Sequence, residues 1–88
     1  MILYHVTTPK KARKYHGTGY IKKPVRGFDT LMGAMVWAIK VGRKVIYRIN
    51  CENVYLLPDH HNKHGKAWWA NENVPINNIK CVSRNFIG

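Results

Sequence analysis

Eighty-eight residues, fifteen of them Lys or Arg and only four Asp or Glu, give this chain a formal net charge of +11 at pH 7. A chain this short buries a modest fraction of its unfolded surface, so one domain spanning residues 1–88 is expected and a large enclosed substrate chamber is excluded. Hydrophobic residues make up 45%, with three Trp and five Tyr among them, which excludes a disordered tail and allows a packed core without metal or disulfide staples.

Ile2-Leu3-Tyr4-His5-Val6-Thr7 opens the chain as an apolar strand with a histidine set among β-formers. A helix signal follows at once, with Thr8 as N-cap, Pro9 at the first helical position and Gly17 just past the expected end. His5, Thr7 and Thr8 therefore collect at the C-terminal end of the strand, where they could meet a ligand. The competing role for His5 is a ring hydrogen-bonded to a neighbouring carbonyl inside a half-buried strand.

Lys10, Lys11, Arg13 and Lys14 crowd that first helix. Gly19-Tyr20-Ile21 reads as a short strand leading into the loop Lys22-Lys23-Pro24-Val25-Arg26-Gly27-Phe28, which carries three more cations. Arg43 and Lys44 precede a later strand. Such clusters can line one groove, and a polyanion, with nucleic acid first, is the natural partner. Phosphate contacts supply salt-dependent affinity without sequence information, so charge does not choose between RNA and DNA. The alternative is a surface that is merely solubilising, although such surfaces normally carry both signs.

Asp29 or Thr30 can cap a second helix over Leu31 to Lys40, apolar almost all the way round, with Gly42 as its stop. An all-apolar helix should be covered on every side, by a sheet together with the rest of the chain or with a second subunit, which makes residues 31–40 a candidate homodimer surface. Lys44-Val45-Ile46-Tyr47-Arg48-Ile49 is the clearest strand, followed by Val54-Tyr55-Leu56-Leu57 and by Asn78-Ile79-Lys80-Cys81-Val82. The expected fold is a small α+β domain, two short helices packed on one or two small mixed or antiparallel sheets.

His60, His61 and His64 invite a metal reading, because His60 and His64 would share one helical face. Asn62 and Gly65 disfavour a helix there and no glutamate stands in the expected place, so no metal is expected and the loop reads as exposed and polar. Trp68 and Trp69 would point to opposite faces of an extended segment, leaving one, taken as Trp69, to stack on a base. Glu72 is one of the four acids and sits in a polar loop, where a carboxylate can orient a ribose hydroxyl, stabilise a developing cation or simply pair with a lysine. Cys51 and Cys81 show no CxxC spacing and suit a reducing compartment. No basic leader with a long apolar stretch opens the chain and no run approaches about eighteen apolar residues, so a cytoplasmic protein without a membrane partner is expected.

The order L-Y-H-V-T strand, helix, G-Y-I strand, buried alanine-containing helix, V-I-Y-R-I strand and closing E-N-V-P-I-N-N-I-K-C-V resembles a shortened ADP-ribosyltransferase-type domain. The opening is similar to the Y-H-x-T strand of DarT-like DNA-modifying enzymes and of RNA 2'-phosphotransferases. The resemblance, over Ile2 to Val82, implies NAD or a related nucleotide as cofactor, with His5 holding its ribose. It implies that Glu72 assists transfer of ADP-ribose to a nucleic acid or a protein, and that His5 and Glu72 share a cleft. It further implies cofactor contacts from Thr7, from Arg26 toward a pyrophosphate, and from Tyr47 or else Thr30 as the second motif. The basic residues Lys10, Lys11, Arg13, Lys14, Lys22 and Lys23, with Trp69, would then hold nucleic acid. The alternative function is a non-catalytic basic module that binds nucleic acid or an acidic protein through the same helix and aromatics.

Overall fold

The computed structural model describes residues 1–84. In chain order these form β1 (Ile2–Thr7), α1 (Pro9–Thr18), β2 (Tyr20–Ile21), β3 (Val25–Phe28), α2 (Leu31–Val41), β4 (Val45–Asn50), β5 (Val54–Leu56), β6 (Ala67–Ala70), β7 (Val74–Pro75), a 3-10 turn over Ile76–Asn78, and β8 (Ile79–Arg84). Six strands make one sheet in the order β5-β6-β3-β1-β4-β8, while β2 and β7 make a small second sheet. Each pairing is antiparallel, so the domain is α+β as the sequence leads one to expect.

Side chains alternate across the large sheet and sort the core into two layers. Leu3, Val45, Tyr47 and Ile49 point to one face and pack with Ala12 and Tyr15 of α1 and with Ile21 and Val74 of the small sheet. Val6, Ile46 and Phe28 point to the other and pack with Ala34, Ala38 and Trp37 of α2. The sheet is therefore covered by α1 and the two-stranded sheet on one side and by α2 on the other. Among the described residues no helix is long and apolar enough to cross a membrane.

Both helices are capped as their sequences specify at the N-terminus. Thr8 Oγ1 accepts from the Lys11 amide at 3.2 Å, and Thr30 Oγ1 accepts from the Gly33 amide at 3.0 Å. Gly42 ends α2 in the left-handed region with φ 72°. The first helix stops later than its composition suggests: Gly17 lies inside α1, and Gly19, with φ 91°, is the residue that turns the chain. Thr18 Oγ1 donates back to the carbonyl of Lys14 at 3.1 Å, which holds one more residue in the last turn.

One further expectation is corrected. The segment around Pro24 and Gly27 contains an internal strand, β3, and not only a loop. Its two breaker residues have specific places: Pro24 stands just before the strand, and Gly27 is where β1 comes closest. A Cβ on Gly27 would lie 3.0 Å from both the Leu3 Cβ and the Tyr4 carbonyl oxygen. The described chain covers α2 on one face only. Gly33, Ala34 and Ala38 form its buried face, small residues that let it approach the sheet closely, while Met32 and Ile39 remain 54% and 58% exposed.

Gly27→Ala should lower stability by about 1–3 kcal/mol, because the new methyl meets β1 backbone that cannot move without disturbing the sheet centre. Chemical denaturation checks this. An unchanged midpoint would mean that the β1–β3 approach is not tight.

Candidate anion-binding cleft

The end of β1 is where the site forms. β1 and β3 are in register at Tyr4 and Phe28, and beyond that pair the His5 ring bridges the two strands. His5 Nδ1 lies 2.7 Å from the Arg26 carbonyl oxygen, which can only accept, so Nδ1 carries the proton and donates. In the neutral ring Nε2 is then an acceptor, 3.1 Å from the Tyr15 hydroxyl, which donates to it. Tyr15 oxygen in turn accepts from Thr7 Oγ1 at 3.2 Å. One chain of hydrogen bonds therefore runs from Thr7 through Tyr15 and His5 to Arg26, and each donor has an acceptor. Burial pushes the His5 pKa down from 6.5 to about 4, helped by the charges of Arg43 and Lys11 and opposed by the bond to the Arg26 carbonyl.

This network floors a cleft of about 480 Å³. Its first wall is one stripe of α1, where Lys11, Lys14, Tyr15 and Thr18 recur at helical spacing. Its second is the chain from Tyr20 to Phe28, contributing Lys22 and Arg26. Its far side is made by Trp37 and Arg43. Arg43 is steadied by a bond of 3.4 Å to the Val6 carbonyl, and a guanidinium has several further N–H donors to offer a ligand.

Five cationic side chains thus line one cleft: Lys11, Lys14, Lys22, Arg26 and Arg43. All four acidic residues lie elsewhere. Asp29 takes the Lys66 amide at 2.9 Å and the Trp68 indole N–H at 3.2 Å. Glu72 Oε1 accepts from the backbone amides of Glu52 and Asn53 at 2.8 and 2.7 Å. Glu52 is exposed, and Asp59 lies at the surface 3.4 Å from the His60 ring.

The expected site residues therefore divide. His5, Arg26, Lys11, Lys14 and Lys22 come together at the cleft. Lys10, Arg13 and Lys23 are exposed but outside its lining. Thr7 and Tyr47 are fully buried beneath the site, with Tyr47 3.3 Å from the His16 ring, and neither presents a surface to a cofactor. Glu72 does not line the cleft. It braces the turn after β4, whereas His5 pairs with Tyr47 within that strand. Thr30 is the α2 cap, and its hydroxyl also donates to the His64 carbonyl at 2.6 Å.

Tyr15 and Trp37 join the site without having been singled out for it, whereas Arg43 comes from one of the basic clusters expected to line a groove. The α1 stripe was detectable by helical spacing alone, but the nearness of Arg43 to His5 depends on the antiparallel pairing of β1 with β4.

The histidine loop is built into the fold. His61 Nδ1 accepts from the Ala67 amide at 2.9 Å, and its Nε2 donates to the Leu57 carbonyl at 2.8 Å, so both ring nitrogens are used by the backbone. Asn62 Nδ2 donates to the Gly33 carbonyl at 3.1 Å and ties the loop to α2. Among the described residues no group of three His, Cys, Asp or Glu is placed to hold a metal ion. Of the tryptophans, Trp68 packs on the core, while Trp69 stacks on Tyr55 with centroids 4.9 Å apart.

His5 must be neutral for its hydrogen bonds to stand. In the unfolded chain it takes up a proton near pH 6.5 and in the folded chain only near pH 4, so the stability it contributes is complete above pH 6.5 and is lost as pH falls toward 4. The loss should reach at most about 3 kcal/mol. A pH series of urea midpoints, taken as wild type minus His5→Gln, isolates it; a difference flat between pH 7 and pH 4.5 would contradict the assignment.

Glu72→Ala should cost about 1–3 kcal/mol, because two backbone donors lose their acceptor, and Glu72→Gln should cost less because it keeps one. Thermal melts of both variants check the order. Equal melting temperatures for wild type and Glu72→Ala would remove the bracing role.

No family model matches this chain, and neither a curated protein nor a solved structure matches it.

Proposed function

We propose that this protein is a basic binding module that takes the phosphates of a nucleic acid into the cleft between α1 and β3. One observation carries the reading: five cations line the cleft and none of the four acids does. Confined to one concavity, those charges raise the local potential and favour a ligand with several closely spaced negative groups. His5 adds no charge near neutral pH; it holds the floor rigid, so that Arg26 on one strand and Lys11 and Lys14 on the helix keep fixed relative positions. Nothing in that arrangement requires chemistry on the ligand.

A second reading is transfer of ADP-ribose from NAD, as the resemblance to ADP-ribosyltransferases implies, and it is favoured by His5 and Arg26 meeting in one cleft of small-molecule size. Its acid would be Glu72, which would have to give up two backbone hydrogen bonds and act away from His5. Millimolar NAD should raise the melting temperature if that reading holds.

For the binding module, the logarithm of affinity for an oligonucleotide should fall linearly with the logarithm of salt. About four neutralised phosphates correspond to roughly a hundredfold loss between 50 and 200 mM. Lys11→Gln with Lys14→Gln should reduce the slope by about 2, whereas Lys10→Gln with Arg13→Gln, outside the cleft, should reduce it less. Salt-independent binding, or equal effects of the two pairs, would count against the cleft.

A further inference from the structure

We infer that the nucleic acid is held as an unpaired strand, with its bases stacked on an aromatic platform that extends the cleft to the edge of the sheet. The inference rests on the phosphate-binding reading above and adds to it the state of the ligand.

The platform comes from strand register. Arg26 of β3 stands opposite Trp69 of β6, and Trp69 stands opposite Tyr55 of β5, so the three form one row across adjacent strands. Arg26 belongs to the cleft lining, and β5 is the edge of the sheet. From Arg26 to Tyr55 the row spans two strand spacings, roughly 10 Å. The rings of Trp69 and Tyr55 are stacked, with centroids 4.9 Å apart and planes 28° from parallel. Tyr55 remains 47% exposed, and neither ring belongs to the two buried clusters of the core. Trp68 is the contrast within the same strand: it packs against the core and places its indole N–H on Asp29.

A stacked pair that is open at the sheet edge and continuous with a cationic cleft matches the two parts of an unpaired nucleotide. A base has a π-face for Tyr55, and the phosphates that follow it have Arg26 and the lysines of the cleft. In a duplex each base face is covered by its neighbours and only the edges are open in the grooves, so a flat ring on a sheet surface has nothing to stack on. Charge alone suits either form; the aromatic row favours the unpaired one.

The test uses the full chain and measures fluorescence anisotropy of labelled 12-mers: oligo-dT, oligo-rU, and a DNA duplex, each across a salt series, with circular dichroism to check folding of each variant. The single strands should bind at least tenfold tighter than the duplex at matched salt, and the dT and rU arms tell DNA from RNA. Tyr55→Ala should weaken single-strand binding roughly tenfold and leave the salt slope unchanged, while Tyr55→Phe should keep most of the affinity. Trp69→Ala should act in the same direction, and Tyr55→Ala decides the matter if Trp69→Ala does not fold. Duplex bound as tightly as single strand, or full affinity in Tyr55→Ala, overturns this inference alone, provided that the Lys11 and Lys14 variants still flatten the slope. Failure of all three oligonucleotides to bind overturns the cleft reading with it.

Discussion

The hydrogen bond from His5 Nδ1 to the Arg26 carbonyl is the constraint on which the site depends. It joins β1 to β3 just past the point where their register ends, and it sets which ring nitrogen carries the proton. That choice leaves Nε2 to accept from Tyr15, which locates α1 over the sheet and brings the Lys11 and Lys14 stripe to the cleft. The histidine is structural in its bonds, and through them it fixes the relative positions of cations contributed by two elements. Its depressed pKa belongs to the same arrangement: a charged ring could not accept from Tyr15 and would sit beside Arg43 and Lys11.

The scarce acids explain the other half of the electrostatics. With fifteen basic residues and four acidic ones, ion pairing cannot neutralise the surface. Asp29 and Glu72 are instead spent on backbone amides that hold turns, Asp29 where β3 meets the loop before β6 and Glu72 at the turn after β4. A carboxylate accepting from backbone N–H groups makes a stronger bond than a neutral acceptor would. The cleft cations are left without carboxylate partners in the lining, which raises the positive potential there and costs stability through their mutual repulsion.

The small residues serve close approach. Gly27 lets β1 lie against β3, and Gly33 and Gly65 let the histidine loop rest on α2, where a Cβ on Gly65 would run into the Thr30 hydroxyl. The histidine loop is thereby a buttress, and the α2 face it leaves uncovered is apolar.

Much of the architecture was legible in the sequence because it is encoded locally. The strand alternation in Val45 to Ile49, the Thr8 and Thr30 caps, the Gly42 stop and the basic stripe of α1 each follow from the periods and capping preferences of short segments. The sequence also determined the charge imbalance, and with it the class of ligand worth testing. Three things were decided only by tertiary structure. Pro24 and Gly27 read as breakers until β1 is beside them, since a glycine's reason for being in a strand is the neighbour it admits. Gly19 and not Gly17 ends α1, because Thr18 is held by bonds to the carbonyls before it. The destinations of Glu72, Tyr47 and Trp69 depended on strand order and register: pairing over twenty residues or more placed the first at a turn, the second in the core and the third in a row with Arg26. Local spacing carries no information about such pairings, because which strands become neighbours is settled by how the whole sheet buries its two faces.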